Sequence, residues 1–310
     1  DQPWFMWLSF NGPHNPWDPP KEYTKPYLEA DLPDVNRVPG ELQQHPYDIT
    51  ALRYNYTRAV TDYLDRYPSR WEETIHRIRA GHYGGLSFID HQLGKAIQAL
   101  KETGELDNTI IIYSSDHGTH LGDHNLIHKG TPYEQSARVP FVVWWPEKLQ
   151  PGVRPGFSSH VDLMPTLLEL AGGEIPEELE GESLVAMMTG KEEGDDHAIV
   201  EIRRNYTWVT HDWLFGIFPS TQEELLIHRA EDPGEHFNVI GNPEYQDIAD
   251  SLRQLLYEYH PPIREQFQNG RPLKVLPQSL TLNLLDALEG RDTPYLGGRA
   301  WKMQLHFDHP

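Results

Sequence analysis

The stretch Ile110-Ile-Ile-Tyr-Ser-Ser-Asp-His-Gly-Thr-His-Leu-Gly-Asp-His-Asn-Leu-Ile-His-Lys129 decides how this chain reads. It opens as an apolar, β-branched run of the kind expected for a central parallel strand, then turns abruptly polar. Ser114 to Lys129 hold two aspartates, four histidines and a lysine, with Gly118 and Gly122 allowing the backbone to turn tightly. A loop at the C-terminal end of a strand is where open α/β sheets place their ligands. Carboxylate, imidazole and ammonium together suit a metal cation bound beside an anionic ester. Plainer readings compete at each residue: Asp116 as a helix N-cap, Lys129 as a solvated surface lysine, and His117, His120, His124 and His128 as a zinc-binding helix face. The two glycines argue against a helix here, so the pure histidine site is the weakest of these.

Upstream, residues 71–103 read as a helix ending in a Gly104 C-cap, and helix followed by buried strand is α/β architecture. Residues 52–66 also read as helical, and 21–50 as irregular and punctuated by prolines. Trp4-Phe-Met-Trp-Leu-Ser-Phe10 is a continuous apolar run, expected to be a strand buried on both faces. A core strand so near the first residue predicts that more of the same fold precedes Asp1, in this gene product or in a separate polypeptide. Asn11–Pro20 carries four prolines and is expected to be a rigid loop bearing His14 and Trp17.

Downstream come a second buried strand over Phe141–Trp145 and a helix over Val161–Ala171, stopped by Gly172-Gly173. An acidic linker near 175 leads to a strand at Ala198–Ile202, short aromatic strands within 206–218 and a helix near 244–258. The last fifty residues, with Pro261, Pro262, Pro272, Pro277 and Pro294, read as an extended tail with a short helix near 280–289.

The chain has 310 residues and a formal net charge of −21, which argues against a surface that coats nucleic acid or a polybasic membrane anchor. No apolar run is long enough to span a bilayer, and the start is not that of a signal peptide. With no cysteine, disulfides, thiolate metal sites and a cysteine nucleophile are excluded within these residues. Asn55-Tyr-Thr57 and Asn205-Tyr-Thr207 are glycosylation sequons of a kind that also arise by chance.

Asp116-His-Gly-Thr-His-Leu-Gly-Asp-His-Asn-Leu-Ile-His-Lys129, continuing through Tyr133-Glu-Gln-Ser-Ala-Arg-Val-Pro140, resembles the metal-and-lysine motif of the type I sulfatases in the alkaline phosphatase superfamily. Phe10-Asn-Gly-Pro-His14 resembles that family's strand and Pro-His loop, and Tyr83-Gly-Gly-Leu-Ser-Phe-Ile-Asp90 its preceding helix. Val161-Asp-Leu-Met-Pro-Thr166 resembles the helix after the motif, and Glu231-Asp-Pro-Gly-Glu-His-Phe-Asn238 the signature of the C-terminal subdomain.

The resemblance implies that Asp116 and His117 are ligands of a divalent cation, calcium first, with magnesium or manganese as alternatives. His117 stands where many members have Asn, and an imidazole shifts preference toward manganese or zinc. Lys129 is implied to contact the sulfate and the bridging oxygen, and His14 to bind the sulfate or protonate the leaving alcohol. His124 and Asp123 either line the pocket or brace the loop, with bracing favoured. Arg138 is expected to be an ion-pair partner, Glu134 being one choice, and His120 and His128 have no assigned role.

Such sulfatases use a formylglycine made within a Cys/Ser-x-Pro/Ala-x-Arg motif. Pro68-Ser69-Arg70 echoes it, but residue 66 is Arg and cannot be the nucleophile. With only Asp116 and His117 for the metal, this stretch alone is expected to be nearly inactive. Three readings follow: a sulfatase for carbohydrate or aryl sulfates, a phosphonate monoester or phosphodiester hydrolase of the same superfamily, or a non-catalytic binder of anionic glycans on this fold. The expected architecture is α/β, an alkaline-phosphatase-like sandwich with a central mostly parallel or mixed sheet flanked by helices. A catalytic domain over 1–190, an α+β subdomain with an antiparallel sheet over 191–260 and a tail packed on the body over 261–310 complete it. Expected partners are the sulfate ester and a missing N-terminal segment, as a separate chain or a self-associating copy. Family members are often exported, which leaves the compartment open.

Overall fold

The structure, a computed structural model, describes residues 3–46, 49 and 66–269, all within one contact unit, Asp1–Pro272. The expected helices at 52–66 and 280–289 lie outside the described residues. Among the described residues, no helix is long and apolar enough to cross a membrane.

Two expectations near the start are corrected. Trp4–Phe10 form no strand, and Trp4, Phe5, Met6 and Trp7 are 53%, 71%, 68% and 71% exposed. An apolar run signals that a segment wants burial, but a strand also needs hydrogen-bonding neighbours, and no strand among the described residues pairs with this one. Residues 21–28, expected to be irregular, form helix α1 (Lys21–Leu28), whose Pro20 N-cap precedes it and whose Pro26 lies inside. Its position is set by helix α2 (Trp71–Thr103), which ends as expected on Gly104 at φ 74°, the glycine N–H reaching Leu100 and Lys101 carbonyls.

Gly81, Gly84 and Gly85 make a seam along one face of α2. A Cβ on Gly84 would stand 2.9 Å from Thr24 Cα, and one on Gly85 would stand 3.1 Å from Pro13 Cβ. A Cβ on Gly81 would run into the Trp17 carbonyl. Both α1 and the proline-rich loop therefore lie against the bare backbone of α2. Tyr27 Oη lies 2.6 Å from Ser87 Oγ, and Arg79 donates to the Pro33 carbonyl at 2.6 Å, which closes the contact at both ends.

Strand β1 (Ile111–Ser114) emerges after α2, and the motif loop, helix α3 (Glu134–Ala137) and strand β2 (Phe141–Trp144) follow. β1, which reads from sequence as a central parallel strand, pairs antiparallel with β2, with Ile111 opposite Trp144 and Ser114 opposite Phe141. A capping box of Ser159 and Asp162 starts a short turn into helix α4 (Leu163–Leu170), and helix α5 (Val185–Met188) packs beside β2.

The C-terminal part is a four-stranded antiparallel meander of β3 (His197–Ile202), β4 (Asn205–Thr210), β5 (Trp213–Phe218) and β6 (Glu223–His228). Alternation along it sends Val209, Leu214, Phe218, Leu225 and Ile227 to one face, where they meet Leu126 and Tyr133 of the motif loop. Tyr206, Phe215, Ile217 and Leu226 face the other way and meet Ala249, Leu252 and Leu256 of helix α6 (Gln246–Tyr259). Pro261–Asn269, expected to begin an extended tail, form helix α7, whose Ile263 joins that second face.

Candidate active site

The motif loop leaves β1 and folds back on itself. His120 N donates to the His128 carbonyl at 2.7 Å and Gly122 N to the Leu126 carbonyl at 2.8 Å, so 122–126 become a tip. Gly122 sits at φ 107°, and Leu121, His124 and Asn125 also have positive φ. Side chains rarely tolerate that region, so this tip is a strained turn held by its surroundings. Asn36 holds it: Asp123 Oδ1 accepts from Asn36 N at 2.8 Å, and His124 N donates to the Asn36 carbonyl at 2.8 Å.

His14 and Lys129 meet. Lys129 Nζ donates to His14 Nε2 at 3.0 Å, across 115 positions of sequence. His14 Nδ1 donates to the Asn15 carbonyl at 2.8 Å, which orients the ring and leaves Nε2 as the acceptor for Lys129. The contact is open to solvent, with His14 exposed and Lys129 half-buried, as a pair receiving a substrate needs. His128 lies beneath: burial, Lys129 and His14 together push its pKa down to about 4. Its ring stacks on Trp17 at 5.7 Å between centroids, and Trp17 also packs on Trp71, Ile75 and Ile127. Trp17 therefore supports the loop from within. Burial likewise holds His82 at about 4, with the Pro13 carbonyl as its hydrogen-bond partner.

Asp116 and His117 also come together. His117 N donates to Asp116 Oδ1 at 2.9 Å, His117 Nδ1 donates to the Gly118 carbonyl at 2.9 Å, and His117 Nε2 stands 3.3 Å from Asp116 Oδ2. With Nδ1 carrying the proton, the Nε2 lone pair stands beside a carboxylate oxygen. Donors sharing one cation at ligand distances of about 2.0–2.4 Å stand roughly 3 Å apart, so this pair fits a shared divalent ion.

His124 is placed elsewhere. It is fully buried, with Nδ1 3.3 Å from Glu41 Oε2 and Nε2 3.2 Å from Gln135 Oε1, contacts that tie the tip of the loop to its neighbours. His236 Nδ1 reaches the same Glu41 oxygen at 2.5 Å. Burial alone would raise the Glu41 pKa, but the imidazoles of His124 and His236 beside the carboxylate outweigh it and the net direction is down. Glu41, His124 and His236 are the one group of three His, Asp or Glu among the described residues whose ligand atoms converge as a metal ion requires. The sequence reading missed Glu41 and His236, which no local spacing connects. His120, without a role in the sequence reading, is buried against Thr131 Oγ1 at 2.9 Å, and burial drives its pKa well down. Arg138 pairs with Glu134 at 2.5 Å, as expected.

The family model for sulfatases matches residues 1–173, and one for the C-terminal region of N-sulphoglucosamine sulphohydrolase matches 122–261. An arylsulfatase of Clostridium perfringens is 33% identical over 88% of this chain and 56% of its own length. An N-acetylglucosamine-6-O-sulfatase of Bacteroides thetaiotaomicron is 28% identical over 73% of this chain and 46% of its own. A phosphonate monoester hydrolase from Silicibacter pomeroyi superposes with a TM-score of 0.73 at 27% identity, covering 84% of this chain and 56% of that one. The chain thus spans about half the length of the curated relatives it matches.

Proposed function

Because the chain belongs to the sulfatase family, we propose that it carries the sulfate-facing half of a sulfuric ester hydrolase acting on a carbohydrate or aryl sulfate. The observation that carries this reading is the contact of His14 Nε2 with Lys129 Nζ. The ammonium offsets negative charge on the sulfate and on the bridging oxygen as the bond to sulfur lengthens. His14, oriented by the Asn15 carbonyl, accepts from Lys129 through an unprotonated Nε2; to serve as the acid it first takes up a proton there, becoming an imidazolium, and then passes that proton to the bridging oxygen as the alcohol departs. His128, uncharged near neutral pH, adds packing beside Lys129 without competing for the anion.

Asp116 and His117 hold the divalent cation in this reading, calcium by family habit; when bound, it polarises the sulfate as a Lewis acid. No Cys/Ser-x-Pro/Ala-x-Arg occurs within these 310 residues, so this reading requires a formylglycine from a segment that is not among them. The domain division, with a boundary near 190, belongs to the same reading.

A second reading, hydrolysis of phosphonate monoesters, is favoured by the fit to the Silicibacter pomeroyi enzyme. Assaying the full-length gene product on an aryl sulfate and on a phenyl phosphonate separates the two. Sulfate turnover exceeding phosphonate turnover, and lost in Lys129→Ala, supports the first; the reverse preference supports the second. A folded, fully modified protein that cleaves neither but binds sulfated glycan is a binding protein, and both catalytic readings then fail.

A further inference from the structure

The polar group least explained by chemistry at His14 and Lys129 is the one built on Glu41, His124 and His236. Glu41 and His124 have no side-chain exposure at all, and His236 is 12% exposed. The three arrive from separate places: the turn at Glu41–Gln44, the tip of the motif loop, and the loop after β6. One ligand atom from each lies within 4.8 Å of the others, and Glu41 Oε2 stands 3.3 Å from His124 Nδ1 and 2.5 Å from His236 Nδ1. His124 Nδ1 is buried and makes no hydrogen bond of acceptable geometry, although Glu41 Oε2 is 3.3 Å away. A buried nitrogen with no well-aligned hydrogen bond is costly, and here the backbone adopts φ 53° at His124.

The Glu41 carboxylate and the His124 ring are also held from behind, and the main chain of His236 is tied in place. Asn125 Nδ2 donates to Glu41 Oε1 at 2.8 Å, leaving Oε2 for the centre. Gln135 Oε1 lies at His124 Nε2, and Tyr133 stacks on the His124 ring at 4.4 Å between centroids. His45 Nε2 donates to the His236 carbonyl at 2.7 Å, while its Nδ1 meets the Tyr133 hydroxyl. Such backing contacts orient ligands around a metal.

We propose that Glu41, His124 and His236 bind a zinc-class divalent cation, which fastens the motif loop to the loop after β6 and is separate from the Asp116–His117 pair. Two imidazoles and one carboxylate are the donor set of a borderline cation, whereas calcium takes roughly six to eight oxygens. The proposal does not depend on which ester the protein cleaves.

The test is metal analysis of the full-length protein from zinc-supplemented cells after dialysis against a calcium-selective chelator. About one zinc per chain is expected in the wild type and in Asp116→Asn, with at least about a tenfold loss of affinity in His236→Gln. Should His236→Gln fail to fold, cobalt loading of the wild type and Asp116→Asn decides: both are expected to show visible absorption from low-coordinate cobalt, displaced by zinc. Absence of both zinc and that spectrum, loss of both in a folded Asp116→Asn, or undiminished zinc in a folded His236→Gln overturns the proposal.

Discussion

Lys129 and His14 are tied to one another by geometry and to their chemistry by what surrounds them. Replacing Lys129 with Ala in the full-length protein is expected to lower kcat on an aryl sulfate on the order of 10²-fold, as loss of a charge-stabilising donor does. His14→Ala is expected to cost a similar factor, with the smaller loss on substrates whose leaving alcohol is more acidic and needs less protonation. Steady-state kinetics on a series of aryl sulfates checks both. His82 and His128 report differently. Their folded pKa values, about 4, lie below the ordinary 6.5, so protonation favours the unfolded chain. Their contribution to stability is complete above about pH 6.5 and is lost as pH falls toward about 4. Denaturant midpoints measured at pH 7 and pH 5 are expected to fall at the lower pH, and His128→Asn is expected to shallow that fall.

At the level of elements, the four-stranded meander depends on burial on both faces. Leu214 in β5 is fully buried, and Leu214→Ala is expected to cost about 2–5 kcal/mol by urea unfolding. Gly84→Ala forces a Cβ onto the backbone of α1 and is expected to cost about 1–3 kcal/mol, more than the gain in helix propensity returns. Which elements could be read from sequence follows from what they depend on. Helix 71–103 was legible because periodicity and Gly104 are local signals. Helix α1 was hidden by Pro26, since packing of Thr24 on Gly84, far along the chain, outweighs a local breaker. Strand β6 was missed because its apolar core, Leu225–Ile227, is short and flanked by charges. The site divides in the same way. His14, Asp116, His117 and Lys129 stand in recognisable motifs, whereas Glu41 and His236 lie 195 positions apart and meet only through the tertiary fold.

For the whole molecule, surface follows from what is present to cover it. Trp4, Phe5, Met6 and Trp7 put a contiguous apolar run in solvent on a chain of net charge −21. The apolar run favours association and the charge opposes it, so salt, which screens the charge, tips the balance. Residues 1–310 alone are expected to self-associate increasingly between low and moderate ionic strength, and Phe5→Ser with Trp7→Ser to reduce that association. Sedimentation velocity at two salt concentrations checks both. The run's failure to become a strand shows where local reading stops: hydrophobicity marks what is to be covered, not what covers it.

The glycine seam of α2 has a further consequence for anyone transplanting or redesigning this site. Because the His14 loop rests on naked main chain at Gly81 and Gly85, the seam acts as a spacer gauge between the histidine and the lysine. Methyl groups added there one at a time would lift the loop in graded steps, offering a dial on their separation that leaves both reactive side chains intact.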